Sequence, residues 1–158
     1  AIKAIAELRR SRQDFEFTII GHGHIEAQIR EWVKEYGLTD YTQILIAPSN
    51  VQEILKAADI YLSTSLFEGT SNSIMEAMNW SIPVVATNVG DNYVLVEQNV
   101  SGFLTPIGDV NGLAKVMKIL LASHQTRLIM GQKGHENLHS FSLEKFKNNY
   151  NEVLRTKV

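Results

Sequence analysis

The sequence contains no cysteine among its 158 residues. This absence excludes disulfide bonds, thiolate metal sites and a cysteine nucleophile, so any chemistry has to come from other side chains. No apolar run reaches the roughly 18 residues that a membrane-spanning helix needs, and the sequence therefore predicts no transmembrane helix. At this length, with 44% hydrophobic residues, one domain with a core of its own is expected.

Basic side chains are missing from a long central stretch. Lysine and arginine total 15 against 17 aspartates and glutamates, and the net charge of -2 argues against a nucleic-acid partner bound by broad phosphate neutralisation. Residues 57–114 contain no lysine or arginine at all. A phosphate group bound by this stretch would therefore depend on backbone amides and a helix dipole rather than on cationic side chains.

Short apolar segments alternate with helical patterns along the chain. The segments predicted as strands are 15–20, 43–46, 60–63, 83–86 and 102–104. Amphipathic patterns predict helices before the first strand and between the strands, one of them over about 72–79. A further helix is predicted to begin with Asp109 as its cap and to continue with one break near Phe141. Such an alternation indicates a parallel sheet with helices on both faces, which is a three-layer α/β/α domain of the Rossmann-like class. Ligands of these folds bind beyond the carboxyl ends of the strands, so the loops there are the candidate sites.

The loop after the third predicted strand combines a carboxylate, a glycine and small polar residues at the start of a helix. Backbone amides and the positive end of a helix dipole favour a phosphate group there, and the hydroxyl groups offer further donors. Glu76, about one turn into the helix, would repel a phosphate unless it accepts hydrogen bonds from a neutral diol such as a ribose. The pattern fits a site for a polyol and a phosphate, and it also fits an ordinary amphipathic helix. The residues of this candidate cradle are Glu68, Gly69, Thr70, Ser71, Asn72 and Ser73.

The two glutamates of this region belong to an ordered series of motifs. Glu68 and Glu76 are separated by seven residues. In chain order, the other members are residues 21–23 (GHG), 57–60 (AADI), 83–87 (PVVAT), 102–104 (GFL) and the pattern of a closing helix over 141–154. This series resembles the donor-binding domain of family 4 retaining glycosyltransferases, which have the GT-B fold. The resemblance covers nearly the whole chain.

The resemblance implies a role for each matched residue. Glu68 would be the catalytic carboxylate that contacts hydroxyls of the transferred sugar, and Glu76 would bind the ribose of a UDP- or GDP-linked hexose. The amides of residues 69–73 would face the pyrophosphate. No metal or other cofactor is implied, and transfer would retain the anomeric configuration. The base and phosphate end of the cleft would be lined by Gly21, His22, Gly23, Ala47 and Pro48.

The resemblance also implies that residues 1–158 are a donor-binding domain without its partner. Family members carry an arginine and a lysine near an earlier strand, and an acceptor-binding domain comes before that strand. We therefore expect this chain to bind a nucleotide weakly and not to catalyse transfer by itself. Without the central first strand, two exposed strand edges would flank a gap. Either the remaining strands close over it, or another chain segment fills it through dimerisation or strand exchange.

The resemblance further implies a setting for the whole enzyme. It would be a cytoplasmic enzyme of bacterial polysaccharide synthesis that acts on a glycan or a lipid-linked acceptor. Peripheral contact with the inner face of the plasma membrane would come only through the acceptor-binding half.

Other interpretations stay open beside this one. A sugar-nucleotide epimerase half or a non-catalytic nucleotide-binding module would carry the same fold. The segment that begins at Gly21 invites a nicotinamide or flavin site, but Glu26 occupies the position of the third glycine. His135, Glu136 and His139 match the zinc-peptidase pattern, although no third histidine follows them, and a solvated helix face explains them more simply.

Overall fold

The computed structural model describes residues 1–141. Its strands are β1 (Phe17–Ile20), β2 (Thr42–Leu45), β3 (Tyr61–Ser63), β4 (Val84–Thr87) and β5 (Gly102–Thr105). Its α-helices are α1 (Ile2–Arg9), α2 (Glu26–Glu35), α3 (Val51–Lys56), α4 (Asn72–Asn79), α5 (Asn92–Leu95), α6 (Val110–Ala122) and α7 (His124–Leu138). The predicted alternation of strands and helices is confirmed. The helix predicted after Phe141 lies outside the described residues.

The strands are all parallel, but they form two sheets rather than one. In the first sheet β1 pairs with β2, and in the second sheet β4 lies between β3 and β5. Within residues 1–141, β1 and β3 do not pair with each other, so each keeps an edge without a strand partner. The expected pair of open edges is therefore present in this part of the chain, and the remaining strands do not close over it.

Helices cover both faces of the second sheet because its strand residues alternate between two apolar clusters. In β4, Val85 belongs to one cluster, whereas Val84 and Ala86 belong to the other. The first cluster joins both sheets to α1, α2 and α6, and its buried members include Ile5, Leu8, Val33, Leu113, Met117 and Leu120. The second cluster packs α3, α4 and α5 against the second sheet, with Leu55, Ile74, Met78, Leu95 and Val96 among its members. The three-layer α/β/α architecture is confirmed.

Helix α4 has the bounds that the sequence predicts, and its orientation decides which residues face solvent. Ile74, Ala77 and Met78 are buried on its inner face. Glu76 lies on the exposed side of the same helix. Because of the 3.6-residue period, packing of the apolar stripe directs Glu76 outward.

The turn after α4 requires an unusual backbone conformation. Ser81 has a φ of 55°, in the left-handed region that disfavours residues with a Cβ atom. Gly131 of α7 packs directly against this turn, because a Cβ atom at Gly131 would collide with the Ser81 carbonyl. The turn is therefore held between α4 and α7.

The helical region after Asp109 contains a break that the sequence analysis missed. The Asp109 side chain caps α6 as predicted, accepting a hydrogen bond from the Gly112 amide at 2.8 Å. The prediction of one helix as far as Phe141 is wrong, because Ser123 adopts an extended conformation between α6 and α7. Its hydroxyl oxygen accepts a hydrogen bond from the Thr126 amide at 3.1 Å and so caps the new helix.

None of the helices in residues 1–141 combines the length and apolar character that crossing a bilayer requires.

Candidate functional site

The candidate site lies at the carboxyl edge of the second sheet, in the loop that joins β3 to α4. The loop after β4 packs against this loop. Gly90 in that loop has a φ of 51°, and a Cβ atom there would collide with the backbone carbonyl of Glu68. Only glycine permits both this conformation and this approach, so Gly90 fixes the backbone beneath Glu68.

The amides at the start of α4 are free to bind an anion. Within residues 1–141, none of the backbone N–H groups of residues 69–73 donates a hydrogen bond to another group of the chain. Gly69, Thr70, Asn72 and Ser73 are exposed, and the space beside Gly69 is open. Unpaired amides and the positive end of the helix dipole together favour a phosphate at this position.

The hydroxyl groups of the same loop are less available than the sequence analysis expected. Thr70 Oγ1 donates a hydrogen bond to Asp91 Oδ2 at 3.1 Å. Ser71 is buried, and its hydroxyl oxygen lies 3.2 Å from that of Ser73. An anion would therefore meet backbone amides first, with the exposed Ser73 hydroxyl beside them.

Glu68 is held in place by a chain of hydrogen bonds that starts in the core. Asn92, which is fully buried, donates to the Thr87 carbonyl at 2.9 Å. Thr87 Oγ1 donates to the Ser65 carbonyl at 2.6 Å, and Ser65 Oγ donates to Glu68 Oε1 at 2.6 Å. Ser65 was missed by the sequence analysis, although its spacing of three residues from Glu68 was the available signal. One carboxylate oxygen of Glu68 is thus fixed, and Oε2 is left for a ligand.

The charges of both glutamates of the site act on the phenol of Tyr61. Tyr61 begins β3, and its burial raises the pKa of the phenol, while a hydrogen bond with Ser73 acts in the opposite direction. The negative charges of Glu68 and Glu76 both raise this pKa further. Both glutamates that the sequence analysis paired therefore contribute to the electrostatics of Tyr61.

One contact from α3 reaches Glu76, and a second contact holds the residue that makes it. Gln52 of α3 donates from Nε2 to Glu76 Oε2 at 3.3 Å. The indole N–H of Trp80 donates to Gln52 Oε1 at 2.9 Å. Gln52 and Trp80 were not among the predicted site residues. Gln52 is 24 residues from Glu76 in the sequence, whereas the four-residue spacing of Trp80 from Glu76 was an available signal.

The remaining predicted site residues lie at the carboxyl edge of the first sheet. Gly21 follows β1, and its amide donates to the Leu45 carbonyl at 3.1 Å, so the turns after β1 and β2 are neighbours. Residues 21–23 and residues 47–48 therefore follow two paired strands at the same edge of the first sheet. Ala47 has a φ of 41°, a strained conformation for a residue with a Cβ atom. Exposed members of these turns are Gly21, His22, Gly23 and Ala47, whereas Pro48 is half-buried.

The histidines of the zinc-peptidase pattern have structural partners. His135 Nδ1 lies 3.1 Å from the Asn79 carbonyl oxygen, and its ring packs edge-on against His139. Glu136 forms an ion pair with Lys133 at 2.8 Å. Across residues 1–141, no three His, Cys, Asp or Glu side chains are grouped so that they could hold a metal ion.

A surface depression of about 610 Å³ lies away from this site. It is lined by Ser11, Arg12, Gln13, Asp14 and Lys118, near the amino end of β1. Arg12 is paired there with Asp14 at 2.7 Å, so its charge is already matched. The unpaired amides of residues 69–73 lie at the other edge of the strands.

An α/β/α domain with open helix-start amides beside two carboxylates is suited to bind a group that carries both phosphate and hydroxyls. The chain belongs to the family described as Glycosyl transferases group 1, which matches residues 1–137. The amylovoran biosynthesis glycosyltransferase AmsK of Erwinia amylovora is 36% identical over 125 residues. That alignment covers 74% of this chain and 31% of AmsK.

Solved structures show the same fold. HepE of Anabaena, in complex with UDP, matches with a TM-score of 0.85 at 22% identity, over 98% of this chain and 44% of HepE. A variant of TarM from S. aureus, in complex with ligands that include UDP, matches with a TM-score of 0.89 at 23% identity, over 96% of this chain and 31% of that protein. The fold is therefore that of the C-terminal domain of GT-B glycosyltransferases. The chain spans less than half the length of each of these proteins.

Proposed function

We propose that this chain is the donor-binding domain of a retaining glycosyltransferase. In the whole enzyme it would present a hexose linked to a nucleoside diphosphate, and the hexose would pass to a glycan or a lipid-linked acceptor in bacterial polysaccharide synthesis. The observation that carries this proposal is the row of unpaired amides at residues 69–73, which lies between Glu68 and Glu76 along the chain.

The backbone amides explain how this chain would bind a diphosphate. Residues 57–114 have no lysine or arginine, so the negative charge of a diphosphate cannot be met by side-chain cations from this part of the chain. Backbone N–H groups and the dipole of α4 remain, and they bind anions without a counter-charge. We therefore assign the diphosphate to residues 69–73, with no metal ion required.

The two carboxylates would bind the uncharged parts of the donor, which are the ribose and the transferred sugar. Glu76 is exposed one turn into α4, where its oxygens are able to accept hydrogen bonds from the two hydroxyls of a ribose. Glu68 has one oxygen bound by Ser65, and its other oxygen is available to hydroxyls of the transferred sugar. The turns at 21–23 and 47–48 would line the base and phosphate end, as in the relatives that the sequence resembles.

UDP is the favoured nucleotide. HepE and the TarM variant were both solved with UDP, and both share the fold of this chain. The acceptor would be bound by another domain, since this chain spans only 31% of AmsK. We therefore propose that the chain alone binds the donor and does not catalyse transfer.

Isothermal titration calorimetry of this chain with UDP and with GDP tests the proposal. We expect saturable binding of UDP, with an affinity that is unchanged when EDTA replaces Mg²⁺. Absence of binding of either nucleotide at millimolar concentration would refute the donor site.

Two variants refine that titration. Glu76→Gln should weaken UDP binding by about 3- to 10-fold, because the amide accepts at only one atom and has lost the charge that strengthens hydrogen bonds. Glu136→Gln is the matched control, since Glu136 is paired with Lys133 on α7 and takes no part in the site. Equal losses in the two variants would contradict the assigned role of Glu76.

A further inference from the structure

Helices α3 and α4 each bring two side chains, four residues apart, into contact with the pair from the other helix. Glu76 of α4 and Trp80, the residue directly after α4, lie on one side because they are separated by four positions. On α3, Gln52 and Lys56 do the same. The contacts between these pairs are made by side chains only, so they depend on the residues of this sequence rather than on the fold.

Gln52 is the centre of the arrangement. Its Oε1 accepts from the indole N–H of Trp80 at 2.9 Å, and its Nε2 donates to Glu76 Oε2 at 3.3 Å. An indole N–H is only a donor and an ionised carboxylate is only an acceptor. The two partners therefore select the same orientation of the Gln52 amide, and a flipped amide would lose both hydrogen bonds.

Lys56 restrains the ring of Trp80. Its ammonium nitrogen lies 5.1 Å from the centre of the Trp80 ring, on the ring face. This cation–π contact holds the ring plane and so directs the indole N–H toward Gln52. Trp80 is 38% exposed, and without these contacts its ring would be free to adopt other orientations toward solvent.

We propose that Trp80, acting through Gln52, is a positioning residue that orients Glu76 for a ribose diol and makes the site selective for ribonucleotides. This inference rests on the proposed function, because it assigns the ribose to Glu76. Gln52 takes one lone pair of Oε2, which leaves Oε1 and the outer lone pair of Oε2 for two adjacent hydroxyls. Fixing the carboxylate before binding reduces the entropy that binding would otherwise lose.

The test compares two probes and two variants of this chain. The probes are UDP and 2′,3′-dideoxyuridine diphosphate, which lacks the ribose hydroxyls. Trp80→Phe removes the indole N–H and keeps an aromatic ring for Lys56, whereas Gln52→Met keeps the length of the side chain and removes its hydrogen bonds. Trp32→Phe is the control, because Trp32 lies on α2, outside the site.

We expect Trp80→Phe and Gln52→Met each to lower the affinity for UDP by about 3- to 10-fold. The affinity for the dideoxy probe should stay unchanged, and the double variant should lose no more than either single variant, because both act through one chain of contacts. Equal losses for both probes, or no loss for UDP, would overturn the inference. A wild-type chain that binds the two probes equally would instead refute the ribose role of Glu76 in the proposed function.

A measurement without nucleotide tests the contact itself. In ¹H–¹⁵N spectra, the indole N–H of Trp80 should exchange slowly with solvent in the wild-type chain and faster in Gln52→Met. The Trp32 indole provides the internal reference. An unchanged exchange rate for Trp80 would show that Gln52 does not hold the indole, and the inference would fail.

Discussion

The backbone of Gly90 lies so close to the backbone carbonyl of Glu68 that no side chain fits between them. This contact joins the loop after β4 to the loop after β3. The left-handed φ of 51° at Gly90 is what turns the chain toward Glu68. The position of the proposed sugar-facing carboxylate is therefore set partly by a residue that has no side chain.

Gly90→Ala should destabilise the chain by about 3 kcal/mol or more, because the left-handed conformation and the collision with Glu68 both oppose a Cβ atom. Gly108→Ala is the matched control. Gly108 also has a positive φ, of 79°, but nothing lies within 4 Å of the position where its Cβ would be. That variant should lose only about 1–2 kcal/mol. Chemical denaturation measures both losses, and equal losses would show that the contact with Glu68 is not tight.

Ser65→Ala should weaken binding of UDP-glucose more than binding of UDP. Without the 2.6 Å hydrogen bond from Ser65, the carboxylate of Glu68 is no longer oriented toward the sugar. The expected loss for UDP-glucose is about 3- to 10-fold by calorimetry. Ser65→Thr keeps the hydroxyl and should restore the wild-type difference between the two ligands. A loss that is the same for UDP would contradict the positioning role.

Ser81→Gly should stabilise the chain by about 0.5–1 kcal/mol. Relief of the left-handed strain is worth about 1–2 kcal/mol, which exceeds the roughly 0.4–1 kcal/mol that glycine costs through the entropy of the unfolded chain. Thermal unfolding should show a rise in Tm of about 2 °C. Ser81→Ala keeps the Cβ atom and serves as the control. A gain of the same size in Ser81→Ala would exclude backbone strain as the cause.

Tyr61 should titrate above the ordinary tyrosine pKa of about 10. Burial raises the pKa of Tyr61, and the charges of Glu68 and Glu76 add to that effect. Because the folded state favours the neutral phenol, its contribution to stability is complete below the unfolded pKa and is lost as pH rises through the folded value. The wild-type minus Tyr61→Phe difference in ultraviolet titration isolates this group. A difference curve centred below 10 would contradict its placement.

Much of the fold follows from periodicity alone. Helix α4 and the Asp109 cap lie where the sequence places them, because a buried apolar stripe and a capping carboxylate are local signals. The break at Ser123 was missed, since apolar residues continue on both sides and hide the cap that Ser123 makes to Thr126. The division into two sheets follows from the absence of a strand between β1 and β3 in the described residues, which the resemblance anticipated and the residues themselves do not reveal.

The candidate site was predictable where it lies on one continuous segment. Glu68, Glu76 and the amides of residues 69–73 all belong to one loop and one helix, so their order in sequence reflects their order in space. Gln52 comes from α3, and Thr87 and Asn92 come from the β4 side of the site. Packing of the second cluster brings these residues to the loop, and no spacing rule in the sequence expresses that contact.

The central claim is that the amides at the start of α4 bind the diphosphate of a nucleotide. The most direct measurement is a titration of the ¹⁵N-labelled chain with UDP, followed in ¹H–¹⁵N spectra. We predict saturable shifts of the amide signals of residues 69–73, with the signals around the depression at Ser11 and Lys118 unchanged. Unshifted amides at 69–73 under conditions in which UDP binds elsewhere, or does not bind at all, would contradict the claim.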